Sequence, residues 1–254
     1  MGNVLASKQG NIGIVTLDYP PVNALDSKAY FALYEIMHDF AIDEEVRVVI
    51  ITGAGERAFV AGADVREFVK FNSRTGMVYT RKNSGVREYI RHFPKPVICA
   101  INGLAYGGGC ALALVCDIRI AAETAKLNLS EINMGIIGAI PYAASIGASG
   151  TVRKLVYSGE SITAEQACRA GLVDEVVPAE ELMPRCMALA EKIASKAPVA
   201  LRKAKEVLVA ASEQLMQETI DMEAAAIGEL WDTQDKTEAV TAFLEKRQPI
   251  FQGK

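Results

Sequence analysis

The alternation and clustering of apolar positions already outline the elements of this chain. Residues 4 to 18 read VLASKQGNIGIVTLD, two short strand-like runs around Gly10-Asn11, which predicts a hairpin. Pro20-Pro21 ends the second run. Tyr30, Leu33, Tyr34, Met37, Phe40 and Ala41 then recur at helical spacing, so a helix is expected from about Lys28 to Ile42, capped by Asp26 or Ser27. Val46 to Thr52 (VRVVIIT) reads as a buried strand, closed by Gly53-Ala54-Gly55, and Ala58-Phe59-Val60 as a further short strand. Val65 to about His92 is polar and helical. Arg74, Arg81 and Lys82 with Tyr79 either line the mouth of a site or belong to a solvated helix pair. Ile118 to Ala122 and Ala125 to Leu129 are strands. Beyond Thr151 helices dominate, with Gly159 and Gly171 as stops and Thr163 as an N-cap. From Leu182 to Phe251 the chain reads as nearly all helix: one to Lys196, a second opened by Pro198, a third from Gln214. Ser195 to Pro198 therefore marks a boundary between a core, 1–196, and a helical region, 197–254.

The least ordinary stretch is Lys95 to Asp117, KPVICAINGLAYGGGCALALVCD. An apolar strand, Val97 to Ile101, breaks at the turn dipeptide Asn102-Gly103. Gly107, Gly108 and Gly109 precede CALALVC, which has no polar face, so Cys110 to Cys116 is expected to be a buried helix. Glycines at its start leave backbone N–H groups open to a ligand. The plainer reading is a glycine-rich turn between two core elements. Downstream, Ser130 to Gly150 carries a single acid, Glu131, among apolar residues and glycines. Desolvation there would raise its pKa toward that of a working general base; alternatively Glu131 only occupies a helix's first turn beside Ser130 as cap.

Composition narrows the function. A formal charge of −4 and a pI of about 5.4 argue against a nucleic-acid surface. The five cysteines form no CxxC pair, and their odd number suggests reduced thiols in a cytoplasmic protein. No apolar run is long enough to span a membrane and no signal-peptide pattern opens the chain. Met1-Gly2 hints at acylation, but Ala6 stands where Ser or Thr is needed. Gly53-x-Gly55-x-x-Ala58 after a strand matches a loose dinucleotide fingerprint, yet the text continues into a strand rather than a helix, which disfavours a nicotinamide enzyme. His38 and His92 receive no role.

Six ordered blocks carry a wider resemblance: VNALD (22–26), AGAD (61–64), the stretch 95–125, SEINMG (130–135), TAEQACRAGLVDEVVP (163–178) and AFLEKRQPIF (242–251). Over essentially its full length the chain resembles the crotonase, or enoyl-CoA hydratase/isomerase, superfamily. The resemblance implies an α/β superhelix of ββα turns whose C-terminal helices pack homotrimers, often stacked as hexamers. It implies an acyl-CoA thioester substrate in fatty acid metabolism, with coenzyme A entering as part of that substrate and no permanently bound cofactor. The implied oxyanion hole is the backbone N–H of Ala63 and Gly108, and the implied acid/base is Glu131. Ala24, Ala61, Asp64 and Val65 match the CoA-binding segments, with Phe243 and Lys246 approaching CoA from the C-terminal end. Hydratases of the family hold water between two glutamates, and Ala111 stands where the first would be. A single glutamate suits a 1,3-proton shift, as in enoyl-CoA isomerases, or a one-acid hydration. Ala111 also admits the alternative of an acyl-CoA-binding member with little activity, and would leave room for a bulkier acyl group. Tyr142 is either a second polar group at the site or core packing.

Overall fold

A computed structural model describes residues 2–146, 149–250 and 252, with nothing drawn from the side chains of Ser149 and residues 214–219. Met1 of the discarded acylation motif and Phe251 at the end of the tail lie outside the described residues.

The strands are β1 (Asn3–Gln9), β2 (Ile12–Asp18), β3 (Val48–Gly53), β4 (Ala58–Val60), β5 (Val97–Ile101), β6 (Leu104–Tyr106), β7 (Ile118–Ala122), β8 (Lys126–Asn128), β9 (Ile162–Thr163) and β10 (Glu175–Val177). The α-helices are α1 (Ser27–Ile42), α2 (Ser73–Arg91), α3 (Gly108–Leu114), α4 (Ile140–Ile146), α5 (Ser149–Ser158), α6 (Ala164–Arg169), α7 (Leu182–Ala194), α8 (Pro198–Leu230) and α9 (Gln234–Glu245).

A six-stranded sheet runs β1-β2-β3-β5-β7-β10, parallel except for the β1–β2 hairpin. Central strand β5 is apolar at every position, and β3 from Val48 to Ile51, because both faces are covered. Val49, Ile51, Cys99 and Ile101 enter the main core, while Val48, Ile50, Ile98 and Ala100 meet Leu182, Cys186 and Ala190 of α7. Side chains of period two on the strands thus meet an i, i+4, i+8 stripe on the helix. Each fully buried aliphatic side chain contributes about 1.5–3 kcal/mol to holding these layers together.

The second sheet, β4-β6-β8-β9, positions the site. Its first three strands are mutually parallel, so all three release the chain at the same edge. Val60 leads to Ala61–Ala63, Tyr106 to the glycine loop, and Asn128 to Glu131.

The predicted hairpin, the α1 helix with Asp26 as its cap (Ala29 N–H to Oδ1, 2.8 Å), and the Thr163 capping box are all present. The buried helix starts two residues earlier than its apolar run, at Gly108, and ends at Leu114. The polar stretch from Val65 divides into a 3-10 turn, Val65–Lys70, and α2. Ser130 is not a cap: Leu129 holds that position, with no side-chain hydrogen bond. No helix break occurs near Gln214, since α8 continues to Leu230 and the next helix starts at Gln234. Gly53-x-Gly55 opens no helix. Asn102 closes that loop, its Nδ2 donating to the carbonyls of Gly53 and Gly55 at 3.0 and 2.7 Å, while Asn23 Nδ2 donates to Ala54 and Ala58 at 3.0 and 2.8 Å. His92 is the C-cap of α2 and pairs with Glu213 at 2.6 Å. All five cysteines are free thiols. Among the described residues no helix is long and apolar enough to cross a membrane.

Candidate active site

A cavity of about 430 Å³ opens where β4, β6 and β8 end. Its floor is made of backbone. Gly107 adopts φ +50, ψ −118, a conformation in which a Cβ is strained, and its N–H donates to the Asn128 carbonyl at 3.1 Å. That bond ties the loop to β8 and leaves Gly108 as the first helical residue, whose N–H has no intrahelical acceptor. Gly109 must be glycine for a different reason: a Cβ there would lie 2.0 Å from the Val60 carbonyl oxygen. The helix can therefore approach β4 only without a side chain at that point.

Ala63 reaches the same cavity from the β4 side. Leu25 N–H donates to Gly62 and Asp64 N–H to the Leu25 carbonyl, each at 3.0 Å, forming an isolated parallel bridge. In that register the Ala63 N–H is turned away from the bridge, and among the described residues neither it nor the Gly108 N–H has a backbone acceptor. Gly62, at φ +112, makes the turn possible.

Glu131 faces this floor from the 3-10 turn Ser130–Met134, which the left-handed Gly135 terminates. Glycines make room for its carboxyl: a Cβ at Gly107 would lie 3.3 Å and one at Gly138 3.0 Å from Glu131 Oε1. Glu131 Oε2 is buried without a hydrogen-bond partner. Burial, with the charge of Glu223 adding to it, pushes the carboxyl up to about 7; its own backbone N–H and Arg87 pull the other way. The group can therefore both accept and return a proton near neutrality.

The opposite wall is helical. Gly76, Asn83, Arg87 and Ile90 form the buried stripe of α2, and Glu223 and Ile227 of α8 recur at i, i+4, i+8 with its C-cap, Trp231. The two helices meet closely because Gly76 has no side chain; a Cβ there would lie 2.3 Å from Trp231 Cδ1. Phe68, Tyr79 and Trp231 line the cavity and cluster with Phe71, the five ring pairs edge-on or tilted with centroids 4.9–6.0 Å apart. Glu223 accepts from Ile140 N–H at 2.7 Å, and burial holds its carboxyl above the usual range. Tyr30 lies beneath the glycine loop, its hydroxyl 3.5 Å from the Gly108 carbonyl.

Of the residues singled out in the sequence, Ala61, Ala63, Val65, Gly108, Glu131 and Phe243 line this cavity. Ala24, Asp64, Ala111, Tyr142 and Lys246 do not. Ala24 flanks the Leu25 bridge, and Asp64 caps the 3-10 turn and binds Arg66. Ala111 is fully buried in the main core. Tyr142 is buried behind the wall, under Arg87, and its hydroxyl has no partner. Lys246 is the exposed left-handed C-cap of α9. Tyr79 lines the cavity, whereas Arg74, Arg81 and Lys82 are exposed and do not. The sequence reading missed Arg87, Asn83, Glu223 and Trp231. Their signal was polar residues in phase with the apolar stripes of two helices far apart in the chain.

Open amide donors facing a desolvated carboxyl make a site for proton transfer beside a carbonyl oxygen that gains negative charge. Comparison with known proteins gives that class a family. The enoyl-CoA hydratase/isomerase family model matches residues 7–254. The chain is 36% identical over 252 residues to the short-chain-enoyl-CoA hydratase of Clostridium acetobutylicum, covering 98% of this chain and 97% of the relative. It is 37% identical over 259 residues to the 2,3-dehydroadipyl-CoA hydratase of Escherichia coli, covering both in full at 100%. Among solved structures, an enoyl-CoA hydratase from Bacillus anthracis superposes with a TM-score of 0.79 at 35% identity, covering 99% of this chain and 100% of the other. Methylmalonyl-CoA decarboxylase in complex with 2-nitronate-propionyl-CoA superposes with a TM-score of 0.90 at 26% identity, covering 99% of each. The chain belongs to the enoyl-CoA hydratase/isomerase family, within the crotonase superfamily of enzymes.

Proposed function

We propose that the protein moves a proton on an acyl-CoA thioester through an enolate, with Glu131 as sole acid/base and the Ala63 and Gly108 N–H groups as oxyanion hole. The observation that carries this reading is Glu131 Oε2, buried and unpartnered on a cavity also lined by both donors. Ionised Glu131 takes a proton from an acyl carbon, and the electron pair moves onto the thioester oxygen. The charge rests against the two amides. Protonated Glu131 then returns the proton to another carbon, leaving the double bond shifted and the enzyme unchanged. Each fixed donor of this kind is worth about 2.7–4 kcal/mol of barrier.

Water addition is a second reading, supported by Glu223. This carboxyl lines the same cavity from α8 and could help hold a water, although Ala111 removes the usual first glutamate. Incubation with trans-3-enoyl-CoA and trans-2-enoyl-CoA separately tells the two apart. Gain of conjugated thioester absorbance from the first, lost in Glu131→Gln, establishes the isomerase. Its loss from the second, with hydroxyacyl product, establishes hydration. Binding of both esters without turnover would instead mark an acyl-CoA-binding member.

We also propose a homotrimer, or a dimer of trimers, held by the helical region 197–254. Val207, Leu208 and Met222 of α8 are 69–72% exposed and apolar, as a self-associating surface requires. Light scattering that returns a monomer mass near 27.3 kDa would refute it. The free thiols are in keeping with a reducing, cytoplasmic setting.

A further inference from the structure

Among the described residues five cationic side chains are buried, and three of them contact an acid. Arg119 pairs with Asp174 at 2.9 Å, Lys205 with Asp117 at 2.7 Å and Arg91 with Glu88 at 3.5 Å, while Lys236 donates to the Phe71 carbonyl at 3.0 Å. Arg87, like Lys236, contacts no acid, and of these five it alone lines the cavity. It is 8% exposed, its Nε has no hydrogen-bond partner, its Nη2 donates to the Ser84 hydroxyl at 2.9 Å, and the phenols of Tyr30 and Tyr142 lie beside it. A guanidinium keeps its charge at any accessible pH, and burying it without an anion costs several kcal/mol. Among the described residues it makes no ion pair. The charges of Glu223 and Glu131 reach it at longer range than a contact, and the Glu223 carboxyl is already engaged by Ile140 N–H. Neighbouring Glu88 is turned to Arg91.

Around Arg87 the wall is polar. Its guanidinium carbon stands 5.9 Å from the centre of the Tyr142 ring, Asn83 lies one helical turn away on α2, and the phenol of Tyr30 lies between it and the glycine loop. A neutral alkyl chain would leave these donors unsatisfied. An anion would satisfy them, and the Arg fork matches a carboxylate. Because the Tyr30 phenol neighbours both Arg87 and the Gly108 carbonyl, an anion at Arg87 belongs a few carbons from the thioester.

We infer that the acyl group bears a carboxylate a short distance from the thioester carbonyl, received by Arg87: the substrate is the CoA ester of a short dicarboxylic acid. This rests on the acyl-CoA reading above.

Affinities of two unreactive esters of equal chain length, glutaryl-CoA and valeryl-CoA, separate the two ideas, measured by calorimetry on the full chain. The expected result is at least tenfold tighter binding of glutaryl-CoA, levelled to within threefold in Arg87→Met and partly restored in Arg87→Lys. Equal affinities in the unaltered protein, or tighter valeryl-CoA, overturn the inference while leaving the acyl-CoA reading intact. Binding of neither ester overturns both. The comparison in the unaltered protein decides the matter even if a variant fails to fold.

Discussion

The floor and the wall of the cavity are built on different principles. The floor is backbone: Gly107 and Gly108 on one strand end, Gly62 and Ala63 on another, with Glu131 between two glycines. The wall is side chain: Arg87 and Asn83 from α2, Glu223 and Trp231 from α8. The floor offers donors placed by a rigid sheet, which suits charge that develops during reaction. The wall offers shape and a fixed cation, which suits discrimination among acyl groups. Variants of the floor should therefore remove rate or stability, and variants of the wall should change preference and pH response.

The largest expected effect is at Glu131. Glu131→Gln should lower turnover by about 10²–10⁴-fold, the range of general acid–base catalysis, with little change in ester affinity. Retained turnover would move the chemistry to the wall.

Next is the close approach behind the floor. Gly109→Ala sets a methyl group against the Val60 carbonyl, and backbone on both sides cannot yield. It should cost about 3 kcal/mol in chemical denaturation. A neutral result would mean that the loop is not pinned.

Glu131 should also cost stability, in a pH-dependent way. Its folded pKa, about 7, lies above the unfolded carboxyl value, so the folded state binds the proton more tightly. The stabilisation this gives is complete below the unfolded pKa and is lost as pH rises through about 7. Glu131→Gln should match the unaltered protein at pH 4 and exceed it at pH 8 by at most about 3 kcal/mol. A variant no more stable at pH 8 would show that Glu131 is not desolvated.

The smallest effect tests the wall. Glu223 adds negative charge near Glu131, so Glu223→Gln should lower the apparent pKa of the acidic limb of the pH–rate profile by less than one unit, with turnover falling only severalfold. A 10²-fold loss would instead make Glu223 a second acid and favour hydration.

This contrast also explains what could be read from the chain. Gly107 to Gly109 are legible because a backbone site leaves its mark locally, as glycines after a strand, whereas Ala61 to Ala63 enter only through the resemblance carried by AGAD. Glu131 is legible because it is a lone acid among apolar residues. Arg87 and Glu223 are 136 positions apart in sequence, and only the packing of α2 on α8 brings both to the cavity. Each looks like one more charge on a helix until its phase is compared with Ile90 or Ile227. Ala111 sits beside the glycine loop in the sequence, while its methyl group packs in the core and is not among the residues that line the cavity. The sequence places a helix boundary at Gln214, whereas α8 runs unbroken from Pro198 to Leu230.

The central claim is that Glu131 carries a proton to and from an acyl carbon held next to the Ala63 and Gly108 amides. Deuterium incorporation into a saturated acyl-CoA, followed by mass spectrometry in heavy water, tests it whether the overall reaction is isomerisation or hydration. The account predicts wash-in at the carbon next to the thioester, abolished in Glu131→Gln. Wash-in that persists in that variant would contradict it.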